Sequence, residues 1–371
     1  MSFTKKKLKI PYSEPSFHYS PSPYYSSTHY DWQKKVRAFV EKEMMPFIDK
    51  WEEKQDFPSD LHDKAYKAGI YGAMYPAEYG GTPPKDFDPF HDLIMVDELS
   101  RTGCGGVLWS CFYSFGIALP PIFEVGSEYL KNRILRNVIT GKKIMSLAIT
   151  EPGAGSDVAN IKTTAKETDD GEYYIVNGEK YFITAGMKAE YFTVAVRTIN
   201  KDGIPHKNIS LMVIERSFGG VYTSRMKTQG WLTSTTTYVV FKNCKVPKSH
   251  IIGREGLGFK PLMHNFNHER FIFAAMSNRY ARVCLEESIK YAQTRKTFGK
   301  PLIKHQVIRH KIGNMIKKIE STQAFIEEIC YKMKCKVSDT ELGGPMALLK
   351  VQATQCMEFC AREATQIFGG R

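Results

Sequence analysis

The period of the apolar residues changes twice along this 371-residue chain, and that change narrows the fold more than any single motif. Over roughly 31–140 the apolar positions recur at three and four, as in Val36, Phe39, Val40, Met44 and Phe47 or in Leu93, Val96 and Leu99, the spacing of helices buried on one face. Pro58, Gly80, Gly81, Pro83, Pro84, Pro120 and Pro121 punctuate that region. From about 144 to 246 the period becomes two, and 174–176, 181–184, 192–196, 209–214 and 238–241 read as strands. Asn177 and Gly178 lie between two of these runs and supply the positive φ angles of a type I′ turn, which predicts an antiparallel hairpin in a meander or small barrel. The helical period returns over 258–295, 305–334 and 344–368. Segregated blocks of this kind predict an α+β fold: a helical domain over 30–142, an antiparallel β-domain over 143–253 and a second helical domain over 254–371.

A doubly wound sheet, which needs alternating strands and helices, is disfavoured, and the motifs agree. Gly153 and Gly155 have Val158 where a third dinucleotide-binding glycine would stand, and no G-x4-G-K phosphate loop occurs. The 52 Lys and Arg exceed the 39 Asp and Glu, for a net charge of +13, which suits a polyanionic partner or a phosphorylated cofactor without choosing between them. Lys5, Lys6, Lys7 and Lys9 form the one short basic cluster, read as solvated. No clustered patch with interleaved aromatics accompanies them, so no nucleic-acid partner is expected.

Residues 1–29 hold four prolines and one acid, Glu14, and predict an extended basic tail without a clear presequence, leaving a cytoplasmic or mitochondrial location as the expectation. No charge falls between Arg101 and Glu124, yet Gly103, Gly105, Gly106, Pro120 and Pro121 break that run, which reads as a buried helix and not a transmembrane segment. Eight cysteines in a chain of this length read as thiols in a reducing compartment. Cys356 and Cys360, four apart in a helical pattern, read as core packing; no metal is expected.

The most informative residue is a carboxylate on the wrong face. Leu262, Phe266, Phe273, Met276, Tyr280, Cys284 and Tyr291 form an apolar stripe, and Glu269, seven positions after Leu262 and about 20° away from it, falls inside. Burying that charge alone would cost on the order of several kcal/mol. Glu269 must therefore be paired with a basic residue, protonated, or lining a cavity. Pairing is the plainer account; the functional one is a general base whose pKa is raised by an apolar pocket. His264 and His268, four apart, lie on the other side and read as solvated histidines.

Five motifs, in order, carry a resemblance to the flavin-dependent acyl-CoA dehydrogenases over nearly the whole chain after the tail. They are LAITEPGAGSD over 147–157, NGEKYFIT over 177–184, Val246 with Pro247, RKTFG over 295–299 with His305 and Gln306, and QIFGG over 366–370. The resemblance implies the same order of helical, β and helical domains, FAD as cofactor, and an acyl-CoA substrate. It also implies removal of an α-proton by a base as hydride leaves the β-carbon, giving a trans-2-enoyl-CoA. In most branches the base lies in a late segment that this sequence does not contain. In the isovaleryl and long-chain branches it occupies the position of Glu269.

By the same resemblance, Leu147, Ile149 and Thr150 would border the flavin, and Ser156 would lie where flavin and acyl-CoA meet. Phe182, Ile183 and Thr184 would cover the other side of the ring, with Phe182 where the family usually has Trp. Asn267 and Arg270 match positions that approach CoA, Asn267 replacing a common acid. Arg295, Thr297, Phe298, Gln366 and Gly370 match residues reaching the FAD of a neighbouring subunit, and His305, Gln306 and Gly369 join them as cofactor-binding. A homodimer or homotetramer is implied, with an electron-acceptor flavoprotein as partner. Family members usually continue for several tens of residues beyond the position of Arg371. An oxidase-like activity, a non-catalytic scaffold and a DNA-binding homologue are the alternatives.

Overall fold

The computed structural model describes residues 10–370, apart from the His264 side chain; the lysine cluster at 5–9 and Arg371 lie outside the described residues. Helices come first: α1 (Ser27–Glu43), α2 (Ile48–Lys54), α3 (Leu61–Lys67), α4 (Pro89–Leu99), α5 (Gly105–Val107), a π-helical turn (Leu108–Tyr113), α6 (Ser114–Ala118), α7 (Pro120–Val125) and α8 (Glu128–Ile139). Eight strands follow: β1 (Met145–Ala148), β2 (Thr164–Glu167), β3 (Tyr173–Ile183), β4 (Tyr191–Ile199), β5 (Ser210–Glu215), β6 (Val221–Arg225), β7 (Thr237–Pro247) and β8 (Ile251–Ile252). Three long helices close the order: α9 (Phe259–Thr294), α10 (Gln306–Lys334) and α11 (Asp339–Phe368). The chain divides into two compact units. One contains the described residues up to Glu41 with Pro84–Gly103 and everything from Asn267; the other contains Lys42–Pro83 and Cys104–Phe266.

The second unit is built on the sheet, ordered β6-β7-β3-β2-β4-β5-β8 and mostly antiparallel. β1 and β2 share one edge of β4 end to end and run parallel to it, β1 against Tyr191–Val194 and β2 against Arg197–Ile199. Inward residues alternate along the strands, and Val176, Phe192, Val194, Met212, Ile214, Val239 and Phe241 make the core. The turn expected at Asn177 and Gly178 is absent. β3 runs straight through both residues and one long strand replaces two; the register against β7 shifts there because β7 carries the extra residue, with Asn243 at φ +50°. Gly178 has φ +152°, and a Cβ on it would lie 2.4 Å from Thr163 Oγ1, so the glycine serves a close approach opposite a bulge in β7 instead of a hairpin turn.

The stretch Gly105–Val125 is long and apolar enough to cross a membrane, but 89% of its apolar window is buried in the fold. Gly105 and Gly106 let it approach the 231–234 loop, since their Cβ atoms would fall 2.3 Å from the Trp231 ring and 2.2 Å from Thr233 Oγ1. Ser110 donates to the carbonyls of Gly106 and Thr233, and the Glu52 carboxylate of α2 accepts from the N–H groups of Leu232 and Thr233.

The first unit is a helical bundle. α10 turns Ile312, Met315, Ile319, Ile326 and Ile329 inward at helical spacing, and α11 does the same with Leu342, Met346, Leu349, Ala353, Cys356 and Cys360. The two cysteines lie in the apolar core beside Ile319 and Leu285. α11 begins at Asp339, earlier than its glycines suggest, because the Ser338 hydroxyl accepts from the Glu341 N–H and Pro345 still falls near the start. α4 is capped by Asp88, whose carboxylate accepts from the Phe90 and His91 N–H groups and lies 2.7 Å from Lys334 Nζ.

Residues 10–18 are packed, where an extended tail is expected over 1–29. Ile10, Ser13, Glu14 and Phe17 are buried, and Glu14 pairs with Arg101 at 2.6 Å, Arg279 at 3.0 Å and Arg37 at 3.1 Å. Burial alone would push the Glu14 carboxyl up, but Arg279, Arg101 and Arg37 outweigh it and hold it far below the usual range. The buried face of α9 also differs from the expected stripe. Leu262 and Met276 are buried, whereas Phe266, Phe273, Tyr280, Cys284 and Tyr291 are half-buried; Phe271, Ile272, Ala275, Arg279, Arg282, Leu285 and Ile289 are buried instead. Arg279 is buried because Asp97 on α4 and Glu14 neutralise it, and Arg282 because Glu320 on α10 pairs with it at 2.6 Å.

Candidate active site

In the sheet unit the ends of β1 and β3 are brought side by side. The Tyr181 N–H donates to the Thr150 carbonyl at 2.8 Å, and the Ser146 hydroxyl donates to the Thr184 carbonyl at 2.7 Å. A buried ion pair fixes this junction: Lys180 Nζ lies 2.8 Å from the Glu151 carboxylate and donates to the Ile149 carbonyl at 3.0 Å. The Glu151 carboxylate accepts further from the N–H groups of Lys162 and Thr163 and from the Thr163 hydroxyl, so its charge is fully solvated by protein. Burial lowers the Lys180 ammonium to about 8, and Glu151 keeps it from falling further.

The sequence motifs 147–157 and 177–184 are thus one structural feature, held by a pair that sequence analysis did not single out. Its legible signal was two oppositely charged residues, one in each motif, although Glu179 beside Lys180 and Asp157 in the first motif offer charges of their own. Leu147 and Thr150 are half-buried, and Ser156 is exposed. Ile149 and Ile183 are buried, Ile183 in the sheet core, so they offer the site main-chain atoms and not side-chain surface. Phe182 is 62% exposed with φ +59°, a bulky residue turned out at a strand end, while Thr184 behind it is half-buried. The same unit holds a cavity of about 650 Å³ that sequence analysis also missed, lined by Lys207, Asn208, Ile209, Leu257, Phe259 and Lys260.

In the helical unit Glu269 is half-buried on α9. Among the described residues it has no hydrogen-bond or ion-pair partner, which removes the salt bridge that would have explained it most plainly. Burial raises its carboxyl to about 7, with His268 and Arg270 pulling against that rise. Arg270 is turned to the same turn of helix as Asn267, donating to its Oδ1 at 2.8 Å, and Asn267 donates to the Asp339 carbonyl at 3.3 Å. His268 is not a solvated histidine: its Nε2 lies 2.7 Å from Asp92 Oδ2, and Asp92 is buried on α4.

Arg295, Thr297 and Phe298 follow the end of α9 in a short hairpin, Lys296–Thr297 against Lys300–Pro301. His305 Nε2 lies 3.2 Å from Thr297 Oγ1, with Gln306 opening α10. Stacking of Tyr291 on Phe368, 4.7 Å between ring centres, brings the end of α11 with Gln366, Gly369 and Gly370 to the same end of the bundle. Arg295, Gln306, Gln366 and both glycines are exposed, and Phe298 is 96% exposed. This group is not brought to Glu269, from which Arg295 stands roughly 39 Å away along the helix at 1.5 Å per residue.

The chain matches the N-terminal domain of acyl-CoA dehydrogenases over residues 26–142, their middle domain over 146–244 and their C-terminal domain over 256–371. It is 36% identical to acyl-CoA dehydrogenase apdG of Emericella nidulans, over 97% of this chain and 86% of that protein. Its fold is similar to butyryl-CoA dehydrogenase of Megasphaera elsdenii, with TM-score 0.86 and 29% identity over 94% of this chain and 90% of that one. It is similar also to an acyl-CoA dehydrogenase complexed with FAD from Bacillus anthracis, with TM-score 0.82 and 27% identity over 93% of this chain and 61% of that one.

Proposed function

This chain belongs to the acyl-CoA dehydrogenase family, and from that premise we propose that it oxidises an acyl-CoA to the trans-2-enoyl-CoA with Glu269 as the base. The family makes it an oxidoreductase with a flavin cofactor. The residues present suit that group. Phe182 offers an exposed aromatic face at the junction of β1 and β3, and Gly153 and Gly155 have no atom within 4 Å of where a Cβ would stand, leaving room for close approach. Leu147, Thr150 and Thr184 border the same junction, and Ser156 is exposed on the loop after β1. When bound there, FAD supplies the hydride acceptor.

The rest falls to the chain. Glu269 accepts the α-proton at a carboxylate oxygen, and its raised pKa makes it a stronger base than a solvated carboxylate while leaving it substantially ionised near neutral pH. The observation that carries this reading is the absence of any ion-pair or hydrogen-bond partner for Glu269 among the described residues, at a position where a partner would otherwise be required. Asn267 and Arg270, joined to one another one turn away, suit a CoA contact. The cavity carrying Lys207 and Lys260 beside Phe259 and Leu257 combines cationic and apolar surface, which suits the phosphorylated, aromatic end of CoA.

The group at Arg295, Thr297, Phe298 and Gln366 suits FAD held by a second copy of the chain, because it stands far from Glu269 on the same helix and Arg295, Phe298 and Gln366 are exposed. We assign reoxidation to an electron-acceptor flavoprotein. Anaerobic addition of short, medium and long acyl-CoAs to the FAD-loaded protein tests the reading. Bleaching of the visible flavin band in wild type but not in Glu269→Gln supports it; bleaching in both removes Glu269 from the mechanism, and peroxide formed in air moves the protein to the oxidase class.

A further inference from the structure

We propose that His268, held by Asp92, is a positioning residue that supplies a fixed positive charge beside Glu269 and keeps that base ionised. The inference rests on the reading of Glu269 as the base. Three features of the helical unit carry it. His268 and Glu269 are consecutive on α9, so their side chains leave the helix about 100° apart within one turn. The His268 Nε2 to Asp92 Oδ2 distance of 2.7 Å is that of a charge-assisted hydrogen bond, and Asp92 is itself buried, 4% exposed, so neither group is freely solvated. Glu269 has no direct partner among the described residues, so the nearest cations act on it only through space.

Among the described residues, the charged groups facing this cluster come from three helices. From α9 they are Glu269 and Arg270, from α4 Asp92, and from the start of α11 Asp339. Burial would strip the proton from His268, but Asp92, Glu269 and Asp339 together outweigh it and hold the imidazole protonated above its ordinary range. His268 and Arg270 in turn lower the Glu269 carboxyl against the rise that burial imposes. Asp92 favours ionisation of the base through the imidazolium that it holds. A base must be ionised before it can take a proton, and a lone carboxylate in this position would be largely protonated at neutral pH. Direct pairing would have ionised Glu269 too, but at the cost of its lone pairs. An adjacent charge fixed to a third residue ionises it and leaves its oxygens open to substrate.

The test is the pH dependence of flavin bleaching in single turnover, with the acyl-CoA from a butyryl, isovaleryl, octanoyl and palmitoyl panel that reduces wild type fastest. In wild type the rate should rise with pH along an acidic limb set by Glu269. His268→Gln and Asp92→Asn should each move that limb to higher pH by about one unit, a roughly tenfold loss of rate well below it. The double variant should move it no further than either single one, because both act through one imidazolium. His268→Lys, which restores a cation, should return the limb toward wild type. If His268→Gln and Asp92→Asn lower the rate equally at every pH, their role is structural and the proposal fails while the base reading stands. If Glu269→Gln still bleaches with the wild-type limb, the base reading fails and this one with it. Ring 15N shifts of labelled histidines, assigned by the His268→Gln difference, read the same point without substrate: an imidazolium persisting above the ordinary histidine pKa must vanish in Asp92→Asn, and its absence from wild type overturns the proposal.

Discussion

At the scale of single residues, the account turns on a carboxyl that folding makes harder to ionise. Glu269 is raised from 4.5 to about 7 by burial, so between those pH values the folded chain holds a proton that the unfolded chain releases. The sign follows: the contribution of this group to stability is full at low pH and is lost as pH rises from about 4.5 through 7. Glu269→Gln, which stays neutral, should match wild type in thermal unfolding at pH 5 and exceed it at pH 8. The gap should be about 1–2 kcal/mol once solvent screening of a half-buried group is allowed for. A constant gap at both pH values would mean that Glu269 is not perturbed. The anomaly of Glu269 was legible from helical periodicity alone, because one charge among apolar neighbours breaks a local rule. The ion pair of His268 with Asp92 was not, since its partner lies 176 positions away and a histidine on a helix carries no mark of burial.

At the scale of elements, local signals told most about the elements whose reasons are local. The three long C-terminal helices and the strands of the middle block follow from their periods, whereas the face of α9 that is buried does not. Arg279 reaches Asp97 at a separation of 182 residues and Glu14 at 265, and only these contacts make an arginine a core residue. Arg279→Met should leave Asp97 without its buried counter-ion, with Glu14 keeping Arg101 and Arg37, and cost about 3–5 kcal/mol in urea unfolding. A loss below about 1 kcal/mol would show that the network is dispensable. The passage of β3 through Asn177 and Gly178, opposite a bulge in β7, is a second case. Asn177 and Gly178 announce positive φ but not whether the chain turns or runs on, and the close packing of Thr163 against Gly178 fits the strand that runs on. Gly178→Ala should therefore destabilise the sheet unit by roughly 1–3 kcal/mol, seen as a lower unfolding midpoint without a change in m.

At the scale of the whole molecule, the order of helices, sheet and helices and the five motifs placed the chain in its family before any coordinates, and the flavin cofactor came with it. What the motifs could not carry was the internal pairing of Lys180 with Glu151 that joins two of them, or the cavity at Lys207 and Lys260, whose lining comes from the segment before β5 and from the start of α9. Binding to the folded chain alone stabilises it, so FAD at about a hundred times its dissociation constant should add about 2.7 kcal/mol and raise the unfolding temperature, with removal reversing it. An unchanged melting curve would put the chain among the non-catalytic homologues. The central claim is that Glu269 removes the α-proton. It is tested most directly by incubating the FAD-loaded protein with its preferred acyl-CoA in D2O without an electron acceptor and following deuterium at C2 by mass spectrometry. Wild type should exchange the α-hydrogen and Glu269→Gln should not; equal exchange by both would contradict the account.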